Sequence, residues 1–314
     1  MKSRILLLAN YPISDLHWGW LTNCPNNCSD EVEFVVRAKG KVDLLVVFNS
    51  VRRPQVVTVP KNKTLKVVQE PRVAKSIFHT FVTRHSAFYG KVWGHAGSFG
   101  GKSTTSHIVR APIAFPQVSA GYLPAGKTKL VSIVSSTLST LPGHRARNQF
   151  IDRVIEFNPA MTEHTYGRGR LPIEKKEEAL DSYMYSLAIE NDSTPGYVTE
   201  KFIDCILRET VPIYFGATDI SSYFPKESYI MLTDLESDSA EILLDGLSAS
   251  DYQRRLPILR HARHRYLNEQ SLCCQIVNEL SSTKPGRNRT IILLPPFGEL
   301  LKWSAQLVKS YLDK

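Results

Sequence analysis

Short apolar runs separated by turn residues dominate the first 110 positions of the chain. Runs of strand length occur at 5–9, 32–36, 42–48, 56–59 and 65–68, with proline, glycine, asparagine and charged residues between them. Apolar runs of about four to eight residues that are bounded by turn formers are typical of buried strands. The pattern therefore predicts a sheet-rich first domain.

Strands and helices alternate beyond residue 128. The apolar pattern predicts strands at 130–134, 162–166, 185–189 and 211–215, and helices at 146–156, 174–180 and 199–208. This alternation favours a parallel sheet with crossover helices, in which ligands bind at the carboxyl ends of the strands. Helical patterns follow at 249–282 and, as an amphipathic helix, at 299–311.

The segment 111–128 carries three prolines and two glycines and follows neither the strand nor the helix period. Such a segment is typical of a linker, and 314 residues are enough for two domains. We therefore expect a first domain at 1–115, a linker at 116–128, a second domain at 129–298 and a C-terminal helix at 299–314.

Composition narrows the classes of partner only in part. The formal net charge of +9 fits an anionic substrate, an anionic membrane surface or nucleic acid. Five cysteines in a long chain favour a reducing compartment over a disulfide framework. The apolar run at 5–9 is too short for a signal peptide, and no run approaches the roughly 20 residues that span a bilayer. These observations predict a cytoplasmic protein.

The stretch 183–216 joins an apolar strand, a polar loop, a helix and a second apolar strand without a gap. Thr199 is a natural N-cap, and the backbone N–H groups that follow it, together with Lys201, favour negative charge. A phosphate or diphosphate is therefore the expected ligand at this helix start.

Three ordered motifs carry a family resemblance: IENDSTPGYVTEKF at 189–202, VPIYFGATD at 211–219 and YFPKESYI at 223–230. They resemble the donor-binding signature of the alpha-1,3/1,4-fucosyltransferases, glycosyltransferase family 10, in its soluble bacterial form. The resemblance covers 129–230. It implies an α/β fold of GT-B architecture, with two Rossmann-like domains facing across a cleft, and inverting transfer of fucose from GDP-fucose. The first domain would then bind the acceptor and the second the donor.

The resemblance also implies roles for single residues of the donor site. Arg147, in the RN pair, and Lys201, in the TEK triplet, match the family's contacts to the GDP phosphates. Asn191, Tyr197 and Glu200 match residues that line the nucleotide and fucose site. Helix capping alone would account for Thr199 and Glu200 but not for the rest of the motif. The role of Glu190 stays open.

The sequence indicates the catalytic base less directly. Glu70 stands at the end of a predicted strand and before Pro71, and QEP at 69–71 faintly resembles the family's ESP, although the serine is missing. Glu70 is therefore the predicted base. Asp15 and His17, after the first strand, are rivals as base or as acceptor contacts. The GRGR run at 167–170 is too short to indicate a dinucleotide site, and it receives no role.

No Asp-x-Asp pair of the kind that holds a metal beside a sugar nucleotide occurs in the sequence. We therefore expect no metal site, no required cofactor and no nucleic-acid partner. The expected acceptor is an oligosaccharide or lipid-linked glycan, such as lipopolysaccharide, joined through an alpha-1,3 linkage. Peripheral association with the inner face of the membrane would suit the basic run at 254–265. Two alternatives stay open: a different nucleotide-sugar donor, or a noncatalytic protein that binds a membrane surface.

Overall fold

The structure, a computed structural model, describes residues 2–22, 31–37, 40–69, 88–95, 106–108, 114–121, 123, 126–236, 240–284 and 286–295. Glu70 and the predicted helix at 299–311 lie outside these residues. None of the helices in the described ranges combines the length and the hydropathy that a membrane span requires.

Strands and helices are numbered separately in chain order. The strands are β1 (Ser3–Ala9), β2 (Val32–Val35), β3 (Leu44–Phe48), β4 (Gln55–Pro60), β5 (Thr64–Val67), β6 (Lys91–Gly94), β7 (Ser106–Ile108), β8 (Lys129–Val134), β9 (Thr165–Tyr166), β10 (Tyr183–Ile189), β11 (Val211–Phe215), β12 (Ile230–Met231) and β13 (Asn288–Leu293). The helices are α1 (Asp15–Thr22), α2 (Pro142–Phe157), α3 (Glu200–Leu207), α4 (Ala240–Asp245), α5 (Ala249–Arg265) and α6 (Leu272–Ser282).

The chain divides into two compact units. Unit 1 comprises Met1–Val109 and Leu272–Lys314, and unit 2 comprises Arg110–Ser271. Each unit contains a parallel sheet, ordered β2-β1-β3-β5-β6-β7 in unit 1 and β12-β11-β10-β8-β9 in unit 2. These sheets confirm the α/β class and the pair of Rossmann-like domains that a GT-B architecture requires.

Unit 1 is organised around β3, in which every residue is buried. A continuous apolar strand of this kind is typical of a parallel sheet that is covered on both faces. The predicted runs at 5–9, 32–36, 42–48, 56–59 and 65–68 all become strands. The sequence pattern did not indicate β6, β7 or β13.

The boundary of the second domain differs from the predicted 129–298. β13 pairs antiparallel with β4, from Asn288 opposite Pro60 to Leu293 opposite Gln55. Ile291 and Leu293 are buried in the same hydrophobic cluster as Leu8 of β1. The described chain from Leu272 onward therefore belongs to unit 1, because Ile291 and Leu293 contribute to that core.

The predicted linker at 116–128 also differs from the structure, in which this segment lies within unit 2. Val118 is fully buried, and the backbone N–H of Gln117 donates to Asp204 Oδ1 at 2.9 Å. An irregular segment can be buried when a side chain satisfies its backbone groups. The described part of 116–128 is thus packed structure rather than a free connection.

The central strand of the unit 2 sheet is β10. β10 pairs in parallel with β8 and β11, so Tyr185 stands between Val131 and Val211. The helix α3 packs against β10 and β11. Its Phe202 ring contacts the Tyr214 ring edge-on, with 4.8 Å between the ring centroids. The three stretches that follow the parallel strands β8, β10 and β11 consequently meet at one edge of the sheet, the edge formed by the carboxyl ends of these strands.

Two predicted elements of unit 2 take other forms. The predicted strand at 162–166 is mostly a 3-10 helix, Pro159–His164, followed by the two residues of β9. The predicted helix at 174–180 reduces to a 3-10 turn, Lys176–Ala179. Both segments are short, and short runs do not distinguish one local structure from another.

A pair of neighbouring substitutions tests the assignment of β13 to the core of unit 1. Ile291 is 5% exposed and Ile292 is 67% exposed. We expect Ile291→Ala to lower the free energy of unfolding by about 2–4 kcal/mol, because it leaves a cavity in the core. The matched control Ile292→Ala should change it by less than about 0.5 kcal/mol. Urea denaturation measures both, and equal effects would contradict the assignment.

Candidate functional site

The site in unit 2 is built on a buried carboxylate directly after β10. Glu190 is fully buried. Its Oε1 accepts from the backbone N–H of Thr199 at 2.8 Å, and its Oε2 accepts from the Thr199 hydroxyl at 2.7 Å. Burial raises the pKa of Glu190, although the nearby charge of Lys201 opposes this shift. The carboxylate therefore joins the end of β10 to the start of α3.

The close approach of β11 explains why a glycine follows that strand. A Cβ atom at Gly216 would lie 2.6 Å from Cγ of Glu190 and 2.3 Å from the hydroxyl oxygen of Tyr214. Both distances are shorter than carbon and oxygen atoms tolerate. Gly216 therefore leaves the space that the Glu190 side chain occupies.

Lys201 lies among three acceptors at the start of α3. Its Nζ is 3.2 Å from Glu190 Oε2, 3.1 Å from Glu200 Oε1 and 3.1 Å from Thr199 Oγ1. Burial alone would lower the pKa of Lys201, but the two carboxylates raise it well above its usual value. Lys201 is thus a permanent cation whose three donors already have partners.

Glu200 stands between two lysines. Burial alone would raise the pKa of Glu200, but the charges of Lys201 and Lys176 outweigh burial and lower it. Glu200 is therefore ionised at neutral pH. Its side chain is 22% exposed, whereas Glu190 has no exposed surface.

A second ion pair, which the sequence did not indicate, lies behind Glu200. Lys176 Nζ is 2.7 Å from Oδ2 of the fully buried Asp204. Burial raises the pKa of Asp204 to about 6, against the opposing charge of Lys176. No local motif could have revealed this pair, because it depends on how the Lys176–Ala179 turn packs against α3.

Arg147 reaches the same edge from α2. The residue is 5% exposed. Its Nη1 donates to Asn191 Oδ1 at 2.7 Å, and its Nη2 donates to the carbonyl oxygen of Ser136 at 3.4 Å. Its Nε is buried and has no hydrogen-bond partner among the described residues. Burial lowers the pKa of Arg147, and Glu190 opposes this shift.

The start of α2 packs directly on the loop that carries Asn191. A Cβ atom at Gly143 would lie 2.1 Å from the backbone oxygen of Asn191, so only glycine permits this contact. The first turn of α2 contains no acidic residue. Its backbone dipole therefore adds positive potential to that of Arg147 without a local carboxylate to offset it.

His144 is a further residue of this site that the sequence did not indicate. It is buried in the first turn of α2, and its Nδ1 lies 3.2 Å from the Thr140 hydroxyl. Burial lowers the pKa of His144, and the charges of Arg147 and Lys201 lower it further. The imidazole is therefore neutral, and burial contributes more to its lowered pKa than the two neighbouring cations do.

The loop between β10 and α3 has a defined conformation. Gly196 has a φ of +82°, and its N–H donates to Asp219 Oδ1 at 2.7 Å. Tyr197 is buried. Burial and the nearby charged groups have the larger effects on the pKa of Arg147 and of Lys201, but Tyr197 is close enough to affect both. The structure thus brings together the predicted donor residues Arg147, Asn191, Tyr197, Glu200 and Lys201.

The predicted acceptor-side residues lie in unit 1. Asp15 is exposed at the start of α1. His17 Nδ1 accepts from the backbone N–H of Ser14 at 3.2 Å, and burial lowers the pKa of His17. A neutral imidazole whose Nδ1 accepts carries its proton on Nε2, which makes that atom a donor. The predicted base Glu70 lies outside the described residues.

Over the described part of the chain, no three His, Cys, Asp or Glu side chains form a group that could hold a metal ion. That no metal or cofactor is needed stays a prediction. The arginines of the basic run are largely paired: Arg254 and Arg255 contact Asp251, and Arg260 contacts Glu209.

Comparison with known proteins adds a family match. The sequence model of a protein family, glycosyltransferase family 10 (fucosyltransferase), C-terminal part, matches residues 124–286. This range is just over half of the 314 residues. This range contains every residue of the edge described above.

Curated proteins of similar sequence match part of this chain. An alpha-(1,3)-fucosyltransferase FucT of Helicobacter pylori is 30% identical over 107 residues, which are 33% of this chain and 22% of that protein. An alpha-(1,3)-fucosyltransferase C of Drosophila melanogaster is 33% identical over 127 residues, 38% of this chain and 28% of that protein. An alpha-(1,4)-fucosyltransferase of Arabidopsis thaliana is 29% identical over 119 residues, 35% of this chain and 29% of that protein. The matches thus span less than a third of each relative.

Solved structures with similar folds include an alpha1,3-fucosyltransferase with GDP-fucose. The TM-score is 0.47 at 15% identity, over 91% of this chain and 93% of that chain. TarM gives a TM-score of 0.48 at 10% identity, over 76% of this chain and 55% of that chain.

The buried carboxylate of Glu190 generates a prediction for stability. We expect Glu190→Gln to lower the free energy of unfolding by about 1–3 kcal/mol, because the amide loses the charge that balances Lys201 and one of two acceptor oxygens. Urea denaturation measures the change. The control Glu163→Gln alters an exposed carboxylate and should change the free energy by less than about 0.5 kcal/mol. A similarly small effect at Glu190 would contradict its structural role.

Proposed function

Because the chain belongs to glycosyltransferase family 10, we propose that it transfers fucose from GDP-fucose to a hydroxyl group of an acceptor glycan. Unit 2 binds the donor and unit 1 binds the acceptor. The transfer inverts the configuration at the anomeric carbon and forms an alpha-1,3 linkage. No metal or other cofactor takes part.

One observation supports the donor site above the others: Arg147 is buried without a carboxylate partner among the described residues. A buried guanidinium is costly unless charged or polar groups satisfy it. Here an amide oxygen and a backbone oxygen contact two nitrogens, and Nε has no partner in the described part of the chain. A diphosphate would supply the missing negative charge and the missing acceptor.

Lys201 has a different part in this proposal, because its three donors are occupied before the donor substrate binds. Contact with a phosphate requires it to release one partner. Glu200 is the partner that can move, since it is partly exposed while Glu190 is fully buried. We infer that diphosphate binding to Lys201 frees the Glu200 carboxylate to face the sugar.

The proposed reaction is a direct displacement. The acceptor oxygen attacks the anomeric carbon of fucose on the face opposite GDP, and the bond from that carbon to the phosphate oxygen breaks with its electron pair. GDP leaves, and Glu70 takes the proton of the acceptor hydroxyl. Glu200, which is ionised, favours the positive charge that develops on the sugar ring. Arg147 and Lys201 favour the negative charge that develops on the diphosphate.

The acceptor in this proposal is an oligosaccharide or lipid-linked glycan at the cytoplasmic face of the membrane. His17 donates a hydrogen bond to an acceptor oxygen through Nε2, in line with its tautomer. Membrane attachment is weak under physiological salt, because acidic neighbours neutralise several arginines of α5.

A transfer assay tests the proposed function together with its base. The protein is incubated with GDP-fucose and a pool of oligosaccharides, and mass spectrometry detects the addition of deoxyhexose. We expect transfer by the natural chain, and a loss of at least about a hundredfold in Glu70→Gln with GDP binding retained, since general-base catalysis contributes about 10²–10⁴-fold. Full activity in Glu70→Gln would shift the role of base to Asp15. Transfer only from another nucleotide-sugar would contradict the proposal that GDP-fucose is the donor.

A matched pair on α2 tests the donor site. Arg147→Ala should weaken GDP binding about 10- to 100-fold, because it removes charge-assisted hydrogen bonds to phosphate. Arg145, two residues away, is exposed, and Arg145→Ala should leave binding within about twofold. Isothermal titration calorimetry measures both. Equal GDP affinities of the two variants would show that Arg147 does not bind the donor.

A further inference from the structure

A second arginine of unit 2, Arg170, lies in a tight turn that follows β9. The N–H of Arg170 donates to the carbonyl of Gly167 at 2.9 Å, and the N–H of Gly167 donates to the carbonyl of Leu171 at 2.9 Å. Gly167 and Gly169 have φ values of +123° and +79°, which favour glycine. The GRGR run at 167–170 is therefore a structured turn.

This turn is packed against the segment that follows β8. The N–H of Thr137 donates to the carbonyl of Arg168 at 3.1 Å. A Cβ atom at Gly167 would lie 2.5 Å from the Ser135 carbonyl oxygen, and one at Gly169 would lie 2.3 Å from Thr137 Oγ1. The glycines thus permit a close contact that fixes the position of the Arg170 backbone.

The same segment contacts Arg147, since the carbonyl of Ser136 accepts from Arg147 Nη2. Arg147 and Arg170 consequently lie at one edge of the sheet. Burial lowers the pKa of Arg147, the charge of Glu190 opposes this shift, and the charge of Arg170 is near enough to lower the pKa further. The two guanidinium groups therefore lie near each other, and Arg147 forms no ion pair with the described residues.

Arg170 is itself poorly compensated. Its side chain is 12% exposed, and its ion pair is with Asp152, 3.9 Å away, which is 71% exposed. An ion pair of this length with an exposed carboxylate contributes little. Its Nε is buried and has no hydrogen-bond partner in the described ranges. Arg170 therefore repeats the condition of Arg147, a mostly buried guanidinium with an unused donor.

We propose that Arg170 binds the diphosphate of the donor substrate together with Arg147, an inference that rests on the proposed function. Two guanidinium groups whose Nε donors have no partner among the described residues match a ligand whose negative charge is spread over two phosphate groups. A monophosphate would satisfy one of them. Arg170 thus contributes to the preference for a nucleoside diphosphate and to the stabilisation of the departing GDP.

The opposing explanation is that Arg170 serves only to hold α2 through Asp152. Asp152→Asn separates the two explanations, because it removes the ion pair and leaves the arginine. Arg168, in the same turn, has an exposed side chain and provides the matched control. Arg170→Lys keeps the charge but loses the Nε donor.

Calorimetric titration of GDP and GMP into each folded variant tests the proposal. We expect Arg170→Gln to weaken GDP binding about tenfold or more, to reduce the ratio of GDP affinity to GMP affinity, and to leave the melting temperature within a few degrees. Arg170→Lys should show a smaller loss. Arg168→Gln and Asp152→Asn should bind GDP within about twofold of the natural chain.

Unchanged GDP affinity in Arg170→Gln would overturn the inference while leaving the proposed function intact. Equal losses for GDP and GMP, matched by Asp152→Asn and accompanied by a lower melting temperature, would also overturn it in favour of the structural explanation. Failure of the natural chain to bind GDP would overturn the proposed function and the inference with it.

Discussion

The buried carboxylate of Glu190 is the constraint on which the rest of the donor site depends. Moving a carboxylate out of water costs several kcal/mol, and the cost is offset only when charge and hydrogen bonds are supplied in good geometry. Thr199 and Lys201 supply both. The partners come from the first turn of α3, so satisfying Glu190 also fixes where that helix begins. The positions of Glu200 and Lys201 follow from this connection.

The two sides of the site are charged in different ways. On the α3 side, Lys201 shares two carboxylates and is balanced before any ligand arrives. On the α2 side, Arg147 forms no ion pair with the described residues, and Arg170 pairs at 3.9 Å with the exposed Asp152. A protein can retain uncompensated cations at one edge only if its remaining stability covers their cost, and such local conflicts are typical of functional sites. The imbalance, more than any single residue, marks the edge as a place for an anionic ligand.

The sequence predicted the features that depend on neighbouring residues. Strands β1, β2, β3, β5, β8, β10 and β11 and the N-cap at Thr199 were recognised because an apolar run or a capping residue specifies them locally. The ordered motifs at 189–230 also indicated which donor residues belong together. The role of Glu190 could not be predicted, because its burial depends on Gly216 and the neighbouring strand. The same limitation applies to the Lys176–Asp204 pair.

Segments that take their structure from distant contacts were predicted wrongly or not at all. The proline-rich segment around Val118 follows no period, yet Asp204 satisfies its backbone and the core of unit 2 buries it. GRGR at 167–170 matches no fingerprint because its glycines serve packing against Ser135 and Thr137. The pairing of β13 with β4 could not be predicted for a related reason: an isolated six-residue strand carries no mark of its partner.

The pairing of β4 with β13 has a consequence for how the chain folds during synthesis. Thr58 and Thr290 face each other across this ribbon although 232 positions separate them. Unit 2 is continuous in sequence and can complete its sheet as soon as it leaves the ribosome, whereas unit 1 must wait with an open apolar core. A folded unit 2 then shortens the effective loop that must close, which lowers its entropic cost. Translation therefore completes the inserted unit before the unit that surrounds it.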